Sequence, residues 1–108
     1  MPRYLTEGAL SSQAFAAFTK SPQNRADVLR PIVEQMGGKL VSYYYEVGGN
    51  GVFSIMDLPD DKSMAALTAA VFAVGVVLSF RVTPIMTPEE AVDVFKKAGE
   101  IAYQPPSA

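Results

Sequence analysis

From Ser63 to Phe80 the chain runs SMAALTAAVFAVGVVLSF without a charged residue. A run of roughly 18 apolar residues is the lower limit for a helix that spans a bilayer, so the stretch is either one membrane span or two buried elements. Its texture changes midway. Met64 to Val74 is alanine-rich, Gly75 interrupts, and Val76 to Val82 is β-branched and aromatic. That order predicts a helix, a glycine cap and a buried strand. Asp60 and Asp61 just before the run, and Arg81 alternating within the strand, favour a chain folded in water over a membrane span.

The other elements follow from local signals. Arg3–Ala9 is strand-like. Ser11 or Ser12 caps a helix with Ala14, Phe15 and Phe18 on its apolar side. Ser21-Pro22 restarts it, with serine as cap and proline at the first position. Ala26, Leu29, Ile32, Val33 and Met36 then repeat at helical spacing, Pro31 predicts a kink, and Gly37-Gly38 ends the helix. Lys39–Val47 and Val52–Leu58 are strands, and Val76–Met86 is the fourth. Asp60 caps the alanine-rich helix. TPEE at Thr87 to Glu90 is a capping box that opens a last helix to about Gly99, with Ala91, Val92, Phe95 and Ala98 on its apolar side. Residues 1–101 form one domain, and 102–108 are expected to be a flexible tail.

Strand, helix, strand, strand, helix, strand and one extra C-terminal helix is the βαββαβ ferredoxin-like order of an α+β fold. Both main helices then cover one face of a four-stranded antiparallel sheet. The other face is bare, and proteins of this shape commonly pair such faces across a symmetric interface. A homo-oligomer, dimer or higher, is therefore the expected partner.

Composition excludes several kinds of chemistry. With no cysteine and no histidine, the chain has no thiol nucleophile, no Ser-His-Asp triad and no ordinary zinc, copper or haem ligand set. No metal or cofactor is implied, and acid–base work would fall to carboxylates, tyrosines or lysines. Nine basic residues are scattered in a chain of net charge −2, which gives no footprint for nucleic acid and no basic amphipathic face for a membrane. The amino terminus MPRYLTEGAL lacks the order of a signal peptide, so a cytoplasmic location is expected.

The stretch YYYEVGGNGVF, Tyr43 to Phe53, holds a glycine-rich turn. A phosphate-cradling loop needs a helix after it. Here a strand follows, so the turn is expected to be a β-hairpin in which glycine and asparagine supply positive φ. Alternation puts Tyr43 and Tyr45 with Val41 and Val47 beneath the helices, and Tyr44 with Leu40, Ser42 and Glu46 on the other face. In the fourth strand Leu78, Phe80 and Val82 are the apolar set, and Ser79, Arg81 and Thr83 the polar one. The bare face is therefore expected to carry Ser42, Tyr44, Glu46, Ser79, Arg81 and Thr83, the candidate ligand-binding residues. Whether Phe53 and Ile55 or Ser54 and Met56 join them is open, because a bulge at the turn could shift the parity. Tyr4, Glu7 and Phe15 meet where the first strand and first helix join, although packing suits Phe15 and a solvated edge suits Glu7.

The chain resembles the GYD domain family of small bacterial proteins over residues 1 to about 100. The resemblance rests on MPRY, Ser21-Pro22 with Arg25, Gly37-Gly38-Lys39, YYYEVG, PDD before the alanine-rich helix, and TPEE. It implies a ferredoxin-like fold similar to the dimeric α/β barrels, and an unassigned activity. The family's Gly-x-Tyr-Asp turn corresponds to Gly48-Gly49-Asn50-Gly51, so Asn50 and Gly51 replace its tyrosine and aspartate.

Three functions are compatible with these residues. The first is an oligomeric module that binds a small, partly apolar ligand between or beside its sheets. The second, by fold analogy alone, is a cofactor-independent enzyme of the monooxygenase or lactone isomerase type. In it Arg81 would hold an anion, Tyr44 would donate a hydrogen bond and Glu46 would act as base, unless Arg81 and Glu46 simply pair with each other. The third is a purely structural assembly.

Overall fold

A computed structural model describes residues 1–107. The elements are β1 (Arg3–Leu10), α1 (Ser12–Lys20), α2 (Arg25–Gln35), β2 (Lys39–Tyr45), β3 (Gly51–Asp57), α3 (Asp61–Ala73), β4 (Val77–Ile85) and α4 (Pro88–Gly99). The four strands form one antiparallel sheet in the order β2-β3-β1-β4. This is the expected α+β ferredoxin-like arrangement. Among the described residues no helix is long and apolar enough to cross a membrane. The uncharged run divides as expected: α3 ends at Ala73, Gly75 takes a φ of 73°, and β4 begins at Val77.

Several boundaries differ from expectation, each for a local reason. The first helical region is two helices, as expected, but their junction differs. Ser21 closes α1, its N–H donating to the Ala17 carbonyl, instead of opening α2. Asn24 caps α2, its side chain accepting from the Ala26 N–H. In the hairpin after β2 only Gly48 has positive φ, 81°. Asn50 serves the turn differently: its carbonyl accepts from the Leu10 N–H and its side-chain amide donates to the Leu10 carbonyl, tying the hairpin to the end of β1.

Two bulges set which residues face which way. The β2–β3 register shifts between Leu40 and Ser42. Leu40 therefore faces the helices with Tyr43 and Tyr45, instead of sharing the bare face with Tyr44, and Val41 is left exposed. Val47 lies beyond the strand and is wholly exposed, so it has no place beneath the helices. The β1–β4 register shifts between Ala9 and Leu10, skipping Leu78. Leu78 is thus exposed, while Phe80 and Val82 pack against the core. The third strand is unambiguous: Val52, Ser54 and Met56 are buried, and Phe53 and Ile55 point to the bare face.

The core lies between the sheet and α1, α2 and α3, in two clusters. Tyr4, Val33, Leu40, Met56, Leu58, Met64 and Leu67 form the larger; Leu10, Ala14 and Val52 form the smaller. Polar contacts pin the β1 end of the larger cluster. The Arg3 guanidinium grips Asp57 as a fork, Nε to Oδ1 at 2.7 Å and Nη2 to Oδ2 at 3.1 Å, which lowers the Asp57 pKa. The Tyr4 hydroxyl donates to Asp61 Oδ1 at 2.6 Å, in the first turn of α3.

Burial, then the Asp61 carboxylate, push the Tyr4 phenol up to about 12. A phenol whose folded pKa exceeds its unfolded value of about 10 favours the folded state below that pH, and the contribution is lost as pH rises towards 12. Wild type should therefore lose stability between pH 9 and pH 11, measured by urea unfolding. Tyr4→Phe should be about 1 kcal/mol less stable at pH 7, having lost a hydrogen bond. Its loss between pH 9 and pH 11 should be smaller than that of wild type; an equal loss would remove Tyr4 as its source.

Candidate functional site

The sheet presents two faces of opposite character. On the bare face, register aligns Tyr44 of β2, Phe53 of β3, Glu7 of β1 and Arg81 of β4 in one row. The next row is Ser42, Ile55, Leu5 and Thr83. Ser79 lies opposite Ala9. Five of the six candidates, Ser42, Tyr44, Ser79, Arg81 and Thr83, thus share this face. Glu46 sits at its corner just past β2, its carboxylate lying over Gly49 and Gly51.

Arg81 and Glu46 belong to opposite edges of the sheet. Their backbones are three strand spacings apart, roughly 14 Å. No salt bridge joins them among the described residues. The acid directly opposite Arg81 is Glu7, which lies on a central strand and not on a solvated edge. Sequence alternation alone could not find that pair, because it depends on β1 lying beside β4. Tyr4 is buried at the α3–β4 side, while Phe15 is 41% exposed.

The buried face carries a second set of polar groups. Here Val82, Thr6, Ser54 and Tyr43 share one row across the sheet. Three of the four bear hydroxyls. Those of Thr6 and Ser54 are buried and hydrogen-bond to each other. Burial, then the adjacent Tyr45 hydroxyl, raise the pKa of Tyr43 well above the ordinary phenol value, so it stays protonated. Its ring meets that of Tyr45 edge-on, with centroids 5.4 Å apart.

Thr6, Ser54 and Tyr43 of this row border a cavity of about 310 Å³ between the two core clusters. Leu10 and Val52 reach it from the smaller cluster, and Met56 and Leu67 from the larger. Beside it the packing is close: a Cβ at Gly8 would crowd both Val52 and Phe80. At the α1–α2 junction stands Arg25, the one charged residue of the lining, 5.7 Å from the Phe18 ring centroid and donating to Gln23 at 3.0 Å. The cavity therefore offers apolar walls, a row of neutral hydroxyls and one guanidinium. It can orient a molecule by hydrogen bonds, but its lining supplies no carboxylate or amine as a general base.

A model of the GYD domain matches residues 4–95. The chain belongs to the GYD domain family. No curated protein matches it. A crystal structure of an Agrobacterium tumefaciens protein from a structural genomics consortium superposes with a TM-score of 0.52 at 17% identity, covering 80% of this chain and 92% of that one. An uncharacterised NIPSNAP-like domain protein from Burkholderia xenovorans gives 0.46 at 15% identity, covering 99% of this chain and 90% of that one. At such identities the first likeness speaks for the fold alone. The altered turn of this GYD domain, where Asn50 and Gly51 stand, reaches the cavity indirectly: Asn50 holds Leu10, which lines it.

The hydroxyl row has a direct energetic test. Thr6→Val and Ser54→Ala each leave a buried hydroxyl without its partner and should each destabilise by about 1–2 kcal/mol. The double variant should cost less than the two together by about 1 kcal/mol. Additive losses in urea unfolding would show that the two hydroxyls do not depend on each other.

Proposed function

We propose that this GYD domain is a binding module for a small, partly apolar molecule, held in the cavity between the sheet and α1–α3. The observation that carries the reading is the lining itself. Its volume of about 310 Å³ lies at the lower end of small-molecule sites, and its apolar walls with a few convergent polar groups match their usual make-up. The apolar part of the ligand would lie against Leu67, Val71 and Phe80. A hydrogen-bonding head would meet Tyr43 and Arg25, and the guanidinium favours an anionic head such as a carboxylate. The bare-face residues Ser42, Tyr44, Ser79, Arg81 and Thr83, with Glu46, belong to a second, shallower surface in this proposal, one suited to contact between molecules.

Octanoate and its neutral analogue octanamide test the reading by calorimetric titration into the full chain. Octanoate should bind wild type, and Val71→Phe, which fills the cavity, should abolish binding. Arg25→Ala should weaken octanoate at least tenfold, about 1.4 kcal/mol, and leave octanamide little changed. Octanoate binding to Val71→Phe as tightly as to wild type would rule out the cavity as the site. Failure of both probes to bind wild type would count against the carboxylate-type ligand.

A further inference from the structure

Two largely apolar surfaces have no partner among the described residues. The first is α4. Ala91, Val92, Val94, Phe95 and Ala98 lie on one side of the helix, and Glu89, Glu90, Asp93, Lys96, Lys97 and Glu100 on the other. Yet α4 has no buried residue, and Val92, Val94 and Phe95 are 50%, 45% and 70% exposed. The helix stands off the body. The radius of gyration is 17.7 Å and the long axis 59 Å, against about 13 Å expected for the radius of a compact chain of this length. Every local signal nevertheless specifies a helix: a complete capping box, proline at its start, acids in its first turn and lysines in its last. Twelve residues is marginal for a helix that packs on nothing.

The second surface is a groove of about 610 Å³ along α3 and β4. Met64, Ala65, Ala69, Phe72, Phe80 and Val82 line it. Ala65 and Ala69 are exposed and small, so another helix can approach closely, and Phe72 meets Phe80 edge-on at its wall. The bare sheet face is a poorer match for the stripe of α4, because Glu7 and Arg81 stand in its middle row.

We infer that the protein forms a two-fold dimer in which the α4 arm of each copy lies in the α3–β4 groove of the other. Area favours a second copy. A helix of this length is about 18 Å long and about 11 Å across, so half its lateral surface is on the order of 300 Å². One arm in one groove hides about 600 Å² over both partners, less than specific interfaces usually bury. Two arms exchanged about an axis hide about 1,200 Å², within the standard range. The connection is also short: only Met86 and Thr87 separate β4 from α4, and Thr87 is held by its capping box with Glu90.

Light scattering on the full chain should give twice the protomer mass of 11.6 kDa. Phe95→Glu on the arm and Ala69→Glu in the groove should each give the protomer mass with a folded body, the helical circular dichroism signal falling by no more than the share of α4. Arg81→Ala on the bare face should remain dimeric. The absence of native cysteine permits a positional check. Ala69→Cys chains mixed with Ala98→Cys chains should be joined by a short bismaleimide through residues 69 and 98. A monomeric wild type would overturn the inference. So would a dimer that survives both glutamate variants, or a 69-to-98 link that forms only within a chain carrying both cysteines.

Discussion

The structure depends on β1 lying between β3 and β4. Its eight residues alternate without interruption, Tyr4, Thr6, Gly8 and Leu10 towards the helices and Arg3, Leu5, Glu7 and Ala9 away from them. Every other strand takes its register directly or indirectly from this one. Tyr4 anchors the larger core cluster and reaches α3 through Asp61; Leu10 anchors the smaller cluster and holds the hairpin through Asn50. Between these large residues come Thr6, which lines the cavity, and Gly8, over which Val52 and Phe80 close. The cavity lies between the two clusters that Tyr4 and Leu10 anchor.

A fully apolar core would be the more stable choice at this point, because buried hydroxyls contribute little beyond satisfying one another. Thr6 and Ser54 are both buried and pair with each other across neighbouring strands, so no lone donor remains. Next in the row, Tyr43 packs against both core clusters, yet its polar end adjoins Tyr45, which is half exposed. The row thus runs from a dry, self-satisfied pair to a hydroxyl near the edge of the sheet. Arg25, at the start of α2, adds the one charge of the lining.

The sequence made most of the fold legible because its punctuation is strong. Asp60, Gly75 and the Thr87–Glu90 box mark helix ends by mechanisms that act locally, and they appear in the structure as expected. Ser21-Pro22 misled because a serine before proline suits a helix start, while in the structure the same serine closes the preceding helix and Asn24 makes the start. The bare face was readable for Ser42, Tyr44, Ser79, Arg81 and Thr83 because period-2 alternation held there. It failed for Leu40 and Leu78, where bulges shift the register by one residue. The hydroxyl row was hidden for a different reason. Thr6, Ser54 and Tyr43 come from three strands, and only strand order and register bring them together. The pairing of Glu7 with Arg81 was hidden in the same way.

The uncharged run from Ser63 to Phe80 joins these surfaces. Its inner residues Met64 and Leu67 fill the core, while Ala65, Ala69 and Phe72 form the groove. Phe80 at its end lines both the groove and the cavity. A helix seated in the groove would restrain that ring from outside, and a molecule in the cavity would meet it from inside. The two proposed events then share one wall, and whatever either does to the free energy of the other is reciprocal. The absence of charge at these positions is then required twice: a charged side chain at Met64, Leu67 or Phe80 would break the core, and one at Ala65 or Ala69 would break the proposed contact in the groove.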